Sequence, residues 1–251
     1  MAVRNNILII TTLFFILPIS CECFANDYFY RVDRRDPVEI FKNGFRPAGT
    51  LRDVLRHVEG DVCYTPGASP SEQSAFISAT IDSNVAISIG GNWRAGTVFY
   101  IYSIRPSSRF YSAYASLDYA FRNSQRSIFE SARDAMAADY EWLALDGISI
   151  SEIYSAQTYT SNGDGTALAG ETTLNSAYDS IGDFQPNRSP FEEYSLDDSS
   201  SERSCLECFS SGPESPLRLM SGVETEAKKR WCKLSDAISM QGVIHTWSTE
   251  L

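Results

Sequence analysis

Alternating hydrophobic and polar residues predict β-strands in four parts of the chain. Residues 27–32 alternate aromatic and polar side chains, residues 74–81 form a shorter run of this kind, and residues 97–104 form a stronger one. Residues 148–160 return to the same character. Because successive side chains of a strand point to opposite faces, each segment can bury one face against a core.

Helical spacing and capping residues predict three helices between these strands. Asp36 stands before a proline in a pattern typical of a helix start, and Gly44 is a suitable stop. Residues 50–58 repeat this design with Thr50 as the expected cap. Residues 124–140 carry apolar side chains at helical spacing. Strands and helices together predict a mixed α+β domain.

The first 25 residues, 1–25, have the features of a secretory signal peptide. Arg4 precedes the apolar run 7–19, and the small residue Ala25 is suited to a cleavage site. A membrane anchor is the alternative, but the run is shorter than the ~20 residues that a membrane span needs. Lipid attachment at Cys21 is a further alternative, although the residues before it match such a site poorly.

The remainder of the chain divides near residue 185, where the composition changes. Asp and Ser dominate residues 197–202, and Ser, Gly and Pro follow at 210–213, which is typical of a solvated linker. We therefore predict a folded domain over residues 26–185 and a tail over residues 186–251. A hydrophobic fraction of 43% is sufficient for a globular core, and a net charge of −11 argues against a nucleic-acid partner.

The sequence has six cysteines, and removal of the signal peptide would leave four. These four are Cys63, Cys205, Cys208 and Cys232. In an exported chain they predict disulfides, with three full pairings open. Cys205 and Cys208 form a Cys-x-x-Cys pair, but neither a second such pair nor a histidine cluster accompanies it, so we predict no metal site.

Three short stretches occur in an order that has a parallel in a known family. They are Tyr-Arg-Val-Asp-Arg-Arg-Asp-Pro at 30–37, Ser-Ala-Phe-Ile-Ser-Ala-Thr at 74–80 and Asp-Tyr-Glu-Trp-Leu-Ala at 139–144. This set resembles the Arg / Ser-Thr-Ser / Glu signature of ADP-ribosylating toxins of the cholera and pertussis type. The pertussis-type catalytic subunit is the closer match, because Asn-Gly-Phe at 43–45 and Val-Leu-Arg-His at 54–57 also fall in order.

The resemblance covers roughly residues 28–180 and implies a fold, an activity and a location. The implied fold is an α+β ADP-ribosyltransferase toxin fold, with two small packed antiparallel sheets and flanking helices around an NAD cleft. The implied protein is a secreted AB5-type toxin A subunit, which enters a host cell and transfers ADP-ribose from NAD to a host protein. A G-protein α subunit is one acceptor to test, and NAD hydrolysis would be a side activity.

The resemblance assigns NAD binding to Arg31, Asp33, Arg35, Ser78 and Thr80. A guanidinium suits planar contact with a pyrophosphate, so Arg31 is expected to hold NAD. The alternative is a surface arginine paired with Asp33. Ser78 and Thr80 share one face of a strand, where Ser78 can support the arginine, although an ordinary polar strand face would show the same alternation.

The resemblance assigns catalysis to Glu141, His57 and Ser78, and acceptor choice to Asp139. A carboxylate beside the ribose stabilises the positive charge that develops as nicotinamide leaves, and an imidazole suits a base that activates the acceptor. An exposed acid at a helix end and a surface histidine are the alternatives for Glu141 and His57. Asp139 stands where the pertussis type has Gln and the cholera type has Glu, so the modified side chain stays open.

The resemblance also extends to one disulfide and to the tail. It implies that Cys63 pairs with Cys205 or Cys208 and holds a segment over the NAD cleft until a reducing compartment opens it. Cys232 is then a candidate for an intermolecular bond. The tail is implied to dock on an oligomer of binding subunits through its apolar residues, with packing on its own domain as the alternative.

One departure from the family pattern keeps other functions open. Val85 and Ile89 occupy places where the family has aromatic residues that stack on nicotinamide. A secreted binding module with a decayed site is therefore one alternative. A transferase of the same fold that modifies guanine in DNA is another, and the net charge of −11 argues against it.

Overall fold

The computed structural model describes residues 28–60, 62, 67–136, 140–182 and 185–196. The strands, in chain order, are β1 (Phe29–Asp33), β2 (Phe76–Thr80), β3 (Val98–Ile104), β4 (Phe110–Ser112), β5 (Glu141–Leu145), β6 (Ile153–Ser161) and β7 (Ala167–Leu174). The α-helices are α1 (Pro37–Asn43), α2 (Val54–Val58), α3 (Ser83–Gly91), α4 (Ala113–Ser124) and α5 (Ser127–Met136). The predicted signal peptide and most of the tail lie outside the described residues.

The strands form one antiparallel sheet in the order β4-β5-β2-β1-β3-β6-β7. The predicted α+β class is confirmed, but the two sheets expected are halves of this single sheet. The halves join at β1, which pairs with β3 along its whole length, Phe29 to Asp33, and with β2 through the register pair Tyr30–Thr80. Backbone pairing between neighbouring strands is therefore most limited between β1 and β2.

The sequence places the start of α1 correctly and the start of α2 too early. Asp36 caps α1 as predicted. The cap of α2 is Asp53, whose carboxylate accepts the Arg56 backbone N–H at 3.1 Å. Thr50 does not begin this helix, because the backbone here pairs with residues 70–75: Thr50 N–H donates to the Pro70 carbonyl at 2.7 Å, and Leu51 forms a β-bridge with Ser74. Tertiary pairing of the preceding loop thus shortens α2 to five residues.

The predicted helix over residues 124–140 includes α5, and a second helix, α4, precedes α5 and ends at Ser124. Gln125 follows α4 in the left-handed conformation, with φ 58°, and its N–H donates to the Phe121 carbonyl at 2.7 Å. This C-terminal cap separates the two helices. Neither α3 nor α4 was predicted, since short helices depend on packing more than on their own propensity.

Three apolar clusters hold the helices against the sheet. The first packs α1 against the sheet centre, the second packs α2, α4 and α5 against β2 and β5, and the third packs α3 against β1 and β3. Phe191, from the segment after the last strand, is 7% exposed and belongs to the second cluster. Among the residues that the structure describes, no helix has the length and apolarity to cross a bilayer.

Candidate active site

Arg31 lies on the central strand β1, which has limited pairing with β2, and its side chain is fully buried. Its Nη1 donates to the main-chain carbonyl of Ser78 at 2.8 Å, so a side chain connects β1 to β2 where the register pairing is limited. The guanidinium also lies 5.3 Å from the centre of the Phe45 ring. Burial lowers the pKa of Arg31 to about 10, while the nearby Asp33 carboxylate opposes that shift. The side chain therefore stays charged at neutral pH.

Asp33 lies between two guanidinium groups at the end of β1. Its carboxylate accepts bonds from Arg35 Nε at 3.0 Å and Arg35 Nη2 at 2.6 Å, and it lies 3.6 Å from Arg31 Nε. Burial acts to raise the pKa of Asp33, but the Arg35 hydrogen bonds and both positive charges outweigh burial and lower it. Arg31 is thus paired with Asp33, as the alternative interpretation held, yet in the core and not on the surface.

His57 occupies α2 with both ring nitrogens in contact with hydroxyl groups. Nδ1 lies 2.6 Å from Ser74 Oγ, and Nε2 lies 2.9 Å from Ser78 Oγ. Each hydroxyl can donate or accept, so either neutral tautomer satisfies the two contacts. The predicted surface-helix alternative for His57 is wrong, because the residue is only 1% exposed.

The environment of His57 keeps its imidazole neutral. Burial, and then the positive charge of Arg31, lower its pKa to about 3. Nε2 lies 3.8 Å from Oε1 of Glu141, but with a neutral ring this contact is not an ion pair. Burial outweighs the proximity of the carboxylate, because removing a charged imidazole from water is costly.

Glu141 begins β5, where it is paired in register with Thr80 of β2. It is 4% exposed, so the predicted alternative of an exposed acid at a helix end is wrong. Tyr140, immediately before it, is 53% exposed and adopts φ 47°, a left-handed conformation that is uncommon for tyrosine. The backbone thus turns at Tyr140, immediately before the residue that carries the buried carboxylate.

The structure brings together most of the residues that the sequence singled out. Arg31, Asp33, Ser78, His57 and Glu141 are connected by the contacts described above. Predicted site residues and cysteines that lie outside the described residues are Cys63, Asp139, Cys205, Cys208 and Cys232. The disulfide and the acceptor-selecting role of Asp139 therefore stay predictions.

Thr80 lies in β2 and is buried, and its hydroxyl has a role that the sequence did not indicate. Thr80 Oγ1 accepts the backbone N–H of Asp82 at 3.1 Å, and Asp82 in turn caps α3. This hydroxyl therefore helps to turn the chain out of β2. Ser78 and Thr80 are both fully buried, so an ordinary half-exposed polar strand face is excluded.

Sequence analysis missed two contributors to the site. Ser74 holds His57 Nδ1 and also accepts the Phe76 N–H at 3.0 Å. Its spacing of four from Ser78 is the signal that could have identified it, because residues i and i+4 share a strand face. Tyr102 is the second, since its hydroxyl donates to the Arg35 carbonyl at 2.6 Å and fixes the chain beyond Asp33.

The two positions that depart from the family pattern belong to a core. Ile89 is 5% exposed in the third cluster, and Val85 packs against that cluster from the same helix. Helix α3 thus uses both side chains to pack against the sheet.

Within the described residues, no group of three or more His, Cys, Asp or Glu side chains could hold a metal ion.

A model of the family described as "Pertussis toxin, subunit 1" matches residues 25–174 of this chain. The pertussis toxin subunit 1 homologue of Bordetella bronchiseptica is 29% identical over 115 aligned positions, in an alignment that covers 39% of this chain and 41% of the relative. The ADP-ribosylating toxin CARDS of Mycoplasma pneumoniae is 33% identical over 95 aligned positions, in an alignment that covers 36% of this chain and 15% of that protein. The chain thus spans about two fifths of the pertussis relatives' length.

Solved structures agree with this assignment. EcPltA superposes with a TM-score of 0.58 at 28% identity, covering 69% of this chain and 98% of its own. Full-length CARDS toxin superposes with a TM-score of 0.54 at 24% identity, covering 66% of this chain and 31% of its own, and supports the fold alone. The family model covers more than half of the sequence, and this chain belongs to the pertussis toxin subunit 1 family.

Proposed function

We propose that this protein is a secreted toxin subunit that transfers ADP-ribose from NAD to a host protein. The observation that carries the proposal is the convergence of Arg31, Ser78, His57 and Glu141 in one buried cluster where β1, β2 and β5 meet. Family membership supports the same reaction class.

Arg31 supplies the positive charge that a dinucleotide requires. A guanidinium binds phosphate oxygens in a planar, bidentate manner. Asp33 holds Arg31 in place, and Arg35, bonded to the same carboxylate, is partly exposed beside it. Because Arg31 is fully buried, NAD can reach it only after the atoms that cover the cluster move aside.

Glu141 supplies the negative charge that the reaction requires. When the bond between the ribose and nicotinamide breaks, its electron pair leaves with nicotinamide and positive charge develops on the sugar. A preorganised carboxylate in a site shielded from water stabilises that charge strongly. The acceptor nucleophile then bonds to the same ribose carbon and loses its proton. Glu141 is the side chain of this cluster best suited to receive that proton or to hold the ribose hydroxyl.

We assign His57 a positioning role and not the base role that the resemblance implies. A buried imidazole whose pKa is about 3 is a weak base at neutral pH. Its two hydroxyl contacts instead fix Ser78 beside Glu141. Asp139, two residues before Glu141 in the sequence, is proposed to influence which side chain accepts the ADP-ribose.

The test is transfer of label from NAD to proteins of a host-cell lysate by the secreted chain. The wild type should label a discrete protein, and Glu141→Ala should not. Glu171→Ala is the matched control, because Glu171 is an exposed carboxylate on β7 and its loss should leave labelling intact. Labelling that persists in Glu141→Ala would contradict the site. Nicotinamide release without any labelled acceptor would indicate an NAD hydrolase, and the absence of both would favour the decayed binding module.

Export and assembly are part of the same proposal. Residues 1–25 have the pattern of a signal peptide, and the apolar tail residues suit a binding-subunit oligomer. Expression of the full chain in a secreting bacterium, followed by N-terminal sequencing of the mature protein, tests cleavage after Ala25. A mature protein that retains residue 1 would contradict it.

A further inference from the structure

Phe191, in the segment that follows the last strand, is buried in the domain. It lies beyond residue 174, where the match to the family model ends. Its ring packs perpendicular to Phe76, with centres 5.1 Å apart, and against Tyr111 at 5.2 Å. Its backbone N–H donates to Ser116 Oγ at 3.0 Å in a buried bond. The segment is therefore fixed to the domain by both its side chain and its backbone.

Phe76 connects this anchor to the site. The Phe76 ring meets the His57 ring edge to face, with centres 5.6 Å apart and an angle of 69° between the planes. His57 lies in turn 2.9 Å from Ser78 and 3.8 Å from Glu141. A continuous series of packed groups thus runs from Phe191 through Phe76 to the imidazole.

The helix that carries His57 depends on this packing. Helix α2 has only five residues, too few to be stable alone, so its position is set by its neighbours. Its apolar residues share the second cluster with Phe76 and Phe191. The same segment also approaches the start of α2, where Glu193 Oε1 lies 4.0 Å from Arg52 Nη1.

We propose that Phe191 is a positioning residue of the active site, which holds the His57 imidazole against Ser78 and Glu141 through Phe76. This inference rests on the proposed NAD reaction for its kinetic readout. It places one residue that supports the site, Phe191, beyond the part of the chain that matches the family. Loss of the Phe191 ring lets Phe76 relax, and the imidazole then shifts relative to Glu141.

The kinetic test compares Phe191→Ala with Tyr194→Ala in the full secreted chain, with NAD cleavage as the assay. Tyr194 packs in the same cluster, on Phe129 at 5.4 Å, and has no ring contact with Phe76 among the described residues. We expect Phe191→Ala to lower kcat about tenfold or more with little change in KM, because small displacements of site groups are costly. Tyr194→Ala should retain its kcat, and Phe191→Leu should recover most of the loss by refilling the space.

A second measurement is independent of activity. The chain has two histidines, so in a His245→Gln background the imidazole NMR signals report His57 alone. Phe191→Ala should shift these signals, and Tyr194→Ala should not. Unchanged imidazole signals in folded Phe191→Ala would overturn the inference. So would an equal fall of kcat in both alanine variants. If the wild type does not cleave NAD, the proposed reaction fails, while the NMR comparison still decides the positioning role.

Discussion

Nε2 of His57 and Oε1 of Glu141 lie 3.8 Å apart, and the Ser78 hydroxyl lies 2.9 Å from the same nitrogen. The three groups come from α2, β5 and β2, which are far apart in sequence. Because the imidazole is neutral, it orders this cluster through hydrogen bonding without adding a charge that would neutralise Glu141.

Removal of the Ser78 hydroxyl should reduce activity more than stability. In Ser78→Ala a buried ring nitrogen loses its partner, which costs about 1–3 kcal/mol, and the imidazole can rotate away from Glu141. Urea unfolding and NAD cleavage measure the two effects. Ser155→Ala is the control, since Ser155 is a buried serine on β6 outside the site. Equal activity in the two variants would argue against a role for Ser78.

The stability of the protein should fall as the pH is lowered from about 6.5 toward 4.5. His57 has an ordinary pKa of 6.5 when unfolded and about 3 when folded. In this range His57 binds a proton in the unfolded chain but not in the folded chain. Its contribution to the free energy of unfolding is therefore fully present above pH 6.5 and is lost progressively below that pH. The loss can reach a few kcal/mol, on the order of 1.4 kcal/mol for each pH unit.

Urea unfolding at several pH values measures this slope. In His57→Gln the slope between pH 6.5 and 4.5 should flatten, whatever the absolute stability of the variant, whereas His245→Gln should keep it. Asp33 affects the pH dependence of the free energy of unfolding only at lower pH. Its folded pKa lies below its ordinary value of 3.8, so its stabilisation is lost as the pH falls through that lower value. A slope that is unchanged in His57→Gln would show that another group titrates.

A lysine at position 31 should not restore the NAD binding and stability that Arg31 provides. An ammonium keeps the charge but loses the flat guanidinium that donates to the Ser78 carbonyl and lies over Phe45. We expect Arg31→Lys to weaken NAD binding and to lower stability by about 1–3 kcal/mol. Calorimetric titration with NAD and thermal unfolding measure these losses. Arg52→Lys, at a half-exposed surface ion pair, is the control and should change neither quantity.

Gly44 should be sensitive to substitution for two separable reasons. It adopts φ 68°, and an added Cβ would collide with the backbone carbonyl oxygen of Ile148. Its backbone conformation, φ 68° with ψ −171°, is one that essentially only glycine adopts, so Gly44→Ala costs about 1–3 kcal/mol for the backbone alone, and the collision adds to it. Gly96→Ala is the matched control, because Gly96 has φ 84° with no atom within 4 Å of the added Cβ. Equal destabilisation of the two variants, measured by urea unfolding, would mean that the collision is relieved.

Local signals in the sequence account for some elements and not for others. Asp36 and Gly44 define α1 because a capping side chain and a glycine with positive φ act within one turn of chain. The start of α2 was misplaced because Thr50 is engaged by Pro70, a contact that no local pattern records. Helices α3 and α4 went unpredicted for the same reason, since their apolar faces become meaningful only against the sheet.

The sequence by itself determined that Arg31, Ser78, His57 and Glu141 belong to one site, because their order and spacing resemble a known signature. Tertiary structure alone decided their contacts and charge states. Burial made His57 neutral and placed Asp33 between two guanidinium groups. Backbone pairing of β1 with both β2 and β3 also joined the two expected sheets. Charge state and register depend on desolvation and on contacts between distant segments, and neither quantity is encoded in a local pattern of residues.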